Sequence, residues 1–142
     1  GQLKAERGVV DRSAAERLYH DFTALDARFK RLVTDWQVRP IDGKQVANDH
    51  ADAVYDAAVR AGIADFHQAT LTLLPEILTL APRLTPYATR LARAASAIAA
   101  GDGSMIASPL KDSYHTVWFE LHEELIHLAG RDRAIEEARS GG

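Results

Sequence analysis

Residues 112–128, Asp-Ser-Tyr-His-Thr-Val-Trp-Phe-Glu-Leu-His-Glu-Glu-Leu-Ile-His-Leu, constrain the fold more than any other stretch. At about 100° per residue, Tyr114, Val117, Trp118, Phe119, Leu121, Leu125, Ile126, Leu128 and Ala129 share one broad helical arc. His115 and His122 fall inside that arc, while Thr116, Glu120, Glu123, Glu124 and His127 take the opposite side. Such a helix must bury its apolar face against others. The imidazoles, phenol and indole carried on that face then need hydrogen-bond partners.

The rest of the chain supplies helices to pack against it. Ser13 followed by Glu16 has capping-box spacing and predicts a helix start. Leu18, Phe22, Leu25, Phe29, Leu32, Val33 and Trp36 then form a narrow stripe that ends before Pro40. Asp21, Arg28 and Asp35 run along its border and read as a solvated flank. Residues 38–49 read as a loop with an Asp42-Gly43 turn, and Asn48 or Asp49 as the cap of a second helix reaching about residue 80. That helix carries Tyr55, Val59, Phe66, Leu73 and Ile77 inward, with Gly62 and Pro75 as expected weak points.

A third helix opens at Thr85-Pro86, buries Tyr87, Leu91, Ala94 and Ile98, and stops at Gly101. A loop rich in Gly, Ser and Pro leads to the organising helix, which Gly130 stops, and a short polar helix is expected at 131–139. No run alternates as strands joined by a hairpin would. The expected fold is all-α, a four-helix bundle with a short extra C-terminal helix, residues 1–142 forming a single all-helical domain.

Composition narrows the function. With 142 residues the chain suits one domain, and a formal net charge of −3 offers no basic excess for nucleic acid. The absence of cysteine excludes disulfides, thiolate metal sites and cysteine nucleophiles. No apolar run approaches the ~20 residues that span a bilayer, so no membrane partner and a cytoplasmic location are expected. Because residue 1 is Gly rather than Met, a piece cut from a longer protein is expected.

Several residues can carry chemistry. His122-Glu-Glu-Leu-Ile-His127 approaches a zincin helix, but histidines five apart sit about 140° around the helix and cannot both face one metal. Glu124-x-x-His127 has di-iron spacing, without the second copy such a site needs. His115 and His122 lie ~10.5 Å apart along the axis, too far to share one ion without distortion. A second polar concentration, Asn48, Asp49, His50, Asp52, Tyr55 and Asp56, surrounds the start of the second helix, with Asp52 nearest the buried stripe. Its plainest role is capping, and its sharper one is to meet His115 or His122 across the bundle.

As a set, Thr34-Asp-Trp-Gln37, Asn48-Asp-His50, Ala53-Val-Tyr-Asp-Ala-Ala-Val59 and Asp112-Ser-Tyr-His-Thr-Val-Trp-Phe-Glu-Leu-His-Glu123 resemble a helical domain of actinobacterial proteins. That domain commonly follows a winged-helix, MarR-like DNA-binding domain. The resemblance runs from Ser13 to Gly130, and the last motif is its most specific part. It implies a sensing or dimerising module of a transcriptional regulator. Any DNA contact would be made by a separate upstream domain, since no winged helix lies in this chain.

The first expectation is therefore a non-catalytic domain that holds a small-molecule ligand between helices. Trp36, Tyr55, Tyr114, His115, Trp118 and His122 would line the pocket, and Asp49, His50 and Asp52 would add polar contacts. The second is a metal-dependent bundle enzyme using His50, Asp49, His115 or His122 as ligands. The third is a purely structural interaction module, with a homodimer left open. No cofactor is specified by the sequence.

Overall fold

The computed structural model describes residues 2–130, with side chains from residue 12 onward. Its elements in chain order are α1 (Gln2–Gln37), β1 (Val38–Ile41), β2 (Lys44–Ala47), α2 (Ala53–Leu80), α3 (Thr85–Ala99), α4 (Ser104–Ala107) and α5 (Tyr114–Leu128). The four long helices pack in a ring, α1 on α2, α2 on α3, α3 on α5 and α5 back on α1. The architecture is the expected all-α bundle. The polar helix expected at 131–139 lies outside the described residues.

The stripes read from the sequence face the core, except that Phe119 and His115, placed on the inward arc of α5, are exposed. Leu18, Phe22, Phe29 and Val33 of α1 are buried with Val59, Phe66, Leu73 and Ile77 of α2. Leu91, Ala94 and Ile98 of α3 meet Tyr114, Val117, Trp118, Leu121 and Leu125 of α5. Gly62 lets α1 approach α2 closely, because a Cβ there would lie 2.8 Å from Leu32 Cδ2. Between α3 and α5, Arg90 is clasped by Asp112 and Glu120, its Nε donating to Asp112 Oδ2 at 3.0 Å.

Four local expectations are corrected. Ser13 does not start α1, which runs through it from Gln2. Pro75 does not break α2, where it stands exposed and the helix continues to Leu80. Residues 38–47 are not an irregular loop but an antiparallel hairpin, in register Val38 with Ala47 through Ile41 with Lys44, and only Asn48 and Asp49 of the expected loop are irregular. Its turn residues Asp42 and Gly43 both have positive φ, 51° and 76°, the twist that suits a two-residue hairpin. Finally, α2 is capped neither by Asn48 nor by Asp49. Asp52 is the cap, its Oδ1 accepting from the backbone N–H groups of Val54 and Tyr55 at 3.1 Å.

Candidate functional site

The residues singled out in the sequence occupy two places. On α5, Tyr114 and Trp118 lie in the aromatic centre of the bundle. Phe22 stacks on Trp118 at 4.2 Å between ring centroids, and Phe66 meets it edge-on at 5.0 Å. The Trp118 indole N–H donates to Asp26 Oδ1 at 2.9 Å, and Lys30 pairs with the other carboxylate oxygen at 3.1 Å. A hydrogen bond of 2.9 Å joins the Tyr114 hydroxyl to His67 Nδ1. Burial pushes the Tyr114 phenol above its ordinary range and the His67 imidazole below its own, so both members of that pair are neutral. His122 rests against Tyr19 and Phe22, with centroids at 6.1 and 5.3 Å. His115 is exposed, its ring centroid 5.9 Å from that of Phe29.

The second place is the junction formed by the end of α1, the hairpin and the start of α2. Trp36, at the last turn of α1, lies against His50 in a tilted contact, with ring centroids 4.3 Å apart. Its ring also lies against Gly103, where a Cβ would collide with it. Beneath His50, the buried Asp56 accepts from Asn48 Nδ2 at 2.8 Å and pairs with His50 Nδ1 at 2.9 Å. The same Asn48 amide donates to the Trp36 carbonyl at 2.9 Å. Tyr55 O–H reaches the carbonyls of Asp35 and Val38, at 2.6 and 3.0 Å. His50 adopts φ 61°, a conformation rare outside glycine, and its backbone N–H donates to Asn48 Oδ1 at 3.0 Å. The inward acid is thus Asp56 and not Asp52.

Compared with family models, curated proteins and solved structures, the chain has no match.

Beside the junction, the hairpin and the start of α2 flank an open cleft of about 490 Å³. Ile41, Val46 and Val54 give it aliphatic walls, and Arg39, Asp49 and Asp52 supply charge. Arg39 Nη2 donates to Asp52 Oδ2 at 3.1 Å, and the guanidinium lies over the Tyr55 ring, 5.1 Å from its centroid. Its Nε is buried and has no acceptor among the described residues. Asp52 has its carboxyl held below the usual range, first by the Tyr55 N–H that it caps and then by the Arg39 charge. Positive charge and an unused N–H donor on Arg39 therefore meet the apolar surface of Ile41, Val46 and Val54.

The nine residues expected to line one pocket do not share one. Trp36, Asp49, His50, Asp52 and Tyr55 belong to the junction, Tyr114, Trp118 and His122 to the core, and His115 to the surface. Trp36 stands two turns, about 10.5 Å, beyond Phe29 on α1, which keeps His50 and His115 at different levels of the bundle. The alternative metal set of His50, Asp49, His115 and His122 is dispersed for the same reason. Among the described residues, no three His, Asp or Glu side chains are grouped to hold a metal ion.

Asp26, Arg39 and His67 were not singled out in the sequence. Asp26 follows Phe22 by four residues and precedes Phe29 by three, and His67 stands in the same relation to Ile63 and Thr70. Both lie inside an apolar stripe, which was the available signal. Arg39 had none, because only the hairpin register turns it toward Asp52.

Proposed function

We propose that the chain is a non-catalytic effector domain of a transcriptional regulator, taking a small organic acid in the cleft between the hairpin and α2. The observation that carries this reading is Arg39, with one N–H bound to Asp52 and a buried Nε that has no acceptor among the described residues. A cleft of about 490 Å³ falls within the usual range for small-molecule sites, and its aliphatic walls suit an apolar ligand body. A carboxylate is the group that a guanidinium recognises through two parallel hydrogen bonds. The resemblance of the Asn48-Asp-His50 and Asp112–Glu123 motifs to the helical domain that follows winged helices supplies the regulatory context.

The junction supports a route from binding to response. A ligand that engages Arg39 competes with Asp52, and Asp52 also caps α2. Tyr55, in the first turn of that helix, grips a carbonyl in the last turn of α1, that of Asp35, and the first carbonyl of the hairpin, that of Val38. Ligand binding would thereby favour one arrangement of α1 against α2, provided that the two arrangements bind it unequally.

The test is a thermal-shift screen of aliphatic and aromatic carboxylic acids, with native mass spectrometry of the hits. A ligand at a hundredfold excess over its Kd stabilises by about 2.7 kcal/mol. Arg39→Ala is expected to abolish the response, while Arg31→Ala, in a separate groove along α1 and α2, leaves it intact. A response that survives Arg39→Ala removes the cleft from consideration.

A second reading, a structural interaction module, is favoured by the closed aromatic centre, where Trp118 and Tyr114 have their polar atoms satisfied by Asp26 and His67. It predicts no ligand response in any variant.

A further inference from the structure

We propose that the outer edge of β2 is a self-association surface that accepts the β2 of a second copy in antiparallel register. Independently of any ligand in the cleft, the phase of the hairpin ladder decides which backbone groups face outward. Ile41 and Lys44 flank a two-residue turn and so form a hydrogen-bonded pair, as do Arg39 and Val46. The same phase continues at Asn48, whose N–H donates to the Gln37 carbonyl at 2.9 Å. The backbone groups of Val38, Pro40, Gln45 and Ala47 therefore point away from the hairpin, the first two on the β1 side and the others on the β2 side.

The two edges differ in what they offer. On β1, the Val38 carbonyl is taken by the Tyr55 hydroxyl at 3.0 Å, and Pro40 has no N–H to give. That edge has one acceptor taken and one donor missing. On β2 all four residues are exposed, and among the described residues no backbone hydrogen bond outside the ladder involves Gln45 or Ala47. That edge presents two donors and two acceptors in a row, the template for adding a strand.

A second copy fits this template. With Val46 opposite the same residue of the other copy, Gln45 faces Ala47 twice and both pairs exchange their N–H and C=O groups. Val46 then occupies the close, non-hydrogen-bonded position, with Cα atoms about 4.5 Å apart. Its aliphatic side chain is 36% exposed on the face shared with Ile41, itself 43% exposed, so the contact continues an apolar strip. Charges agree with the same register. Lys44 falls opposite Asn48 and beside Asp49, and neither Lys44 nor Asp49 is ion-paired among the described residues. No lysine faces a lysine.

The experiment combines sedimentation equilibrium with site-directed cross-linking of the whole chain, which has no cysteine of its own. The weight-average mass is expected to rise with concentration toward the dimer. Val46→Cys should oxidise readily to a covalent dimer, and Gln45→Cys and Ile41→Cys much less. Gln45→Pro removes an outward N–H that the hairpin does not use. It should raise the dimer Kd about tenfold or more while leaving the far-ultraviolet circular dichroism unchanged. A chain monomeric at every concentration overturns the proposal. So does equal cross-linking at the three positions, or a dimer that Gln45→Pro does not weaken.

Discussion

The indole N–H of Trp118 donates to the carboxylate of Asp26 across 92 residues of chain, at 2.9 Å and inside the core. Asp26 is 8% exposed and Trp118 is 2% exposed, so neither group has water as a ready substitute. The bond ties α1 to α5 where Phe22, Phe29 and Phe66 close around the indole.

Asp26→Ala should therefore cost more than a surface ion pair. It strands a buried N–H, with an expected loss of about 1–3 kcal/mol. Lys30→Ala removes only the exposed partner of the same carboxylate and should cost less than about 1 kcal/mol. Urea denaturation followed by tryptophan fluorescence measures both. Equal costs for the two variants would mean that the buried bond contributes no more than the surface pair.

Acid and base should act on the His67–Tyr114 pair from opposite sides. Burial holds the folded His67 below the usual imidazole value of 6.5, so the unfolded chain takes up that proton first. The stability it contributes is complete above 6.5 and is lost progressively as pH falls below that value. Tyr114 is raised above the usual phenol value of 10.0, so the unfolded chain releases that proton first and stability declines as pH rises past 10.0. The melting temperature across pH should flatten on the acid side in His67→Gln and on the alkaline side in Tyr114→Phe. Unchanged slopes would remove these groups from the titration.

Gly103→Ala is a small substitution with a large expected effect. The glycine has helical φ and ψ, −64° and −21°, so alanine meets no backbone penalty there. Its Cβ would collide with the Trp36 ring, which must shift or lose its contact with His50. A loss of about 1–3 kcal/mol is expected, with a change in Trp36 fluorescence. Trp36→Leu should relieve much of that cost, and additive costs in the double variant would refute the contact.

Asp56→Ala should unsettle the α1–α2 junction locally. It removes the acceptor of the Asn48 amide and the partner of His50 Nδ1, leaving Asn48 buried with less satisfaction. The expected cost is about 1–3 kcal/mol, with faster amide exchange at residues 48–56 than at the centre of α5. Uniform acceleration through α5 would mean that the junction does not open as a unit.

The particular residues explain what was legible. The stripe from Leu18 to Val33 and the arc from Tyr114 to Leu125 repeat with the period of a helix, and that period survives in the chain whatever packs against it. The hairpin was obscured because its strands have four residues each, one interrupted by Pro40 and one carrying Lys44 and Gln45. Only the Asp42-Gly43 turn was a strong local signal, and a turn alone does not say that its flanks pair.

What the sequence by itself determined is therefore local: four amphipathic helices, their buried faces apart from Phe119 and His115, the Asp42-Gly43 turn, the Gly101 and Gly130 stops, and the exclusion of cysteine chemistry. These depend on backbone geometry and side-chain period, which act over a few residues. What only the tertiary structure decided is which polar groups meet. It set Asp26 on Trp118, His67 on Tyr114, Asp56 beneath His50 and Arg39 against Asp52. It also divided the expected pocket residues between a closed aromatic core and a polar junction. Hydrogen bonds span about 3 Å, so their pairing depends on how whole helices rotate and shift against one another, and no periodicity along the chain records that.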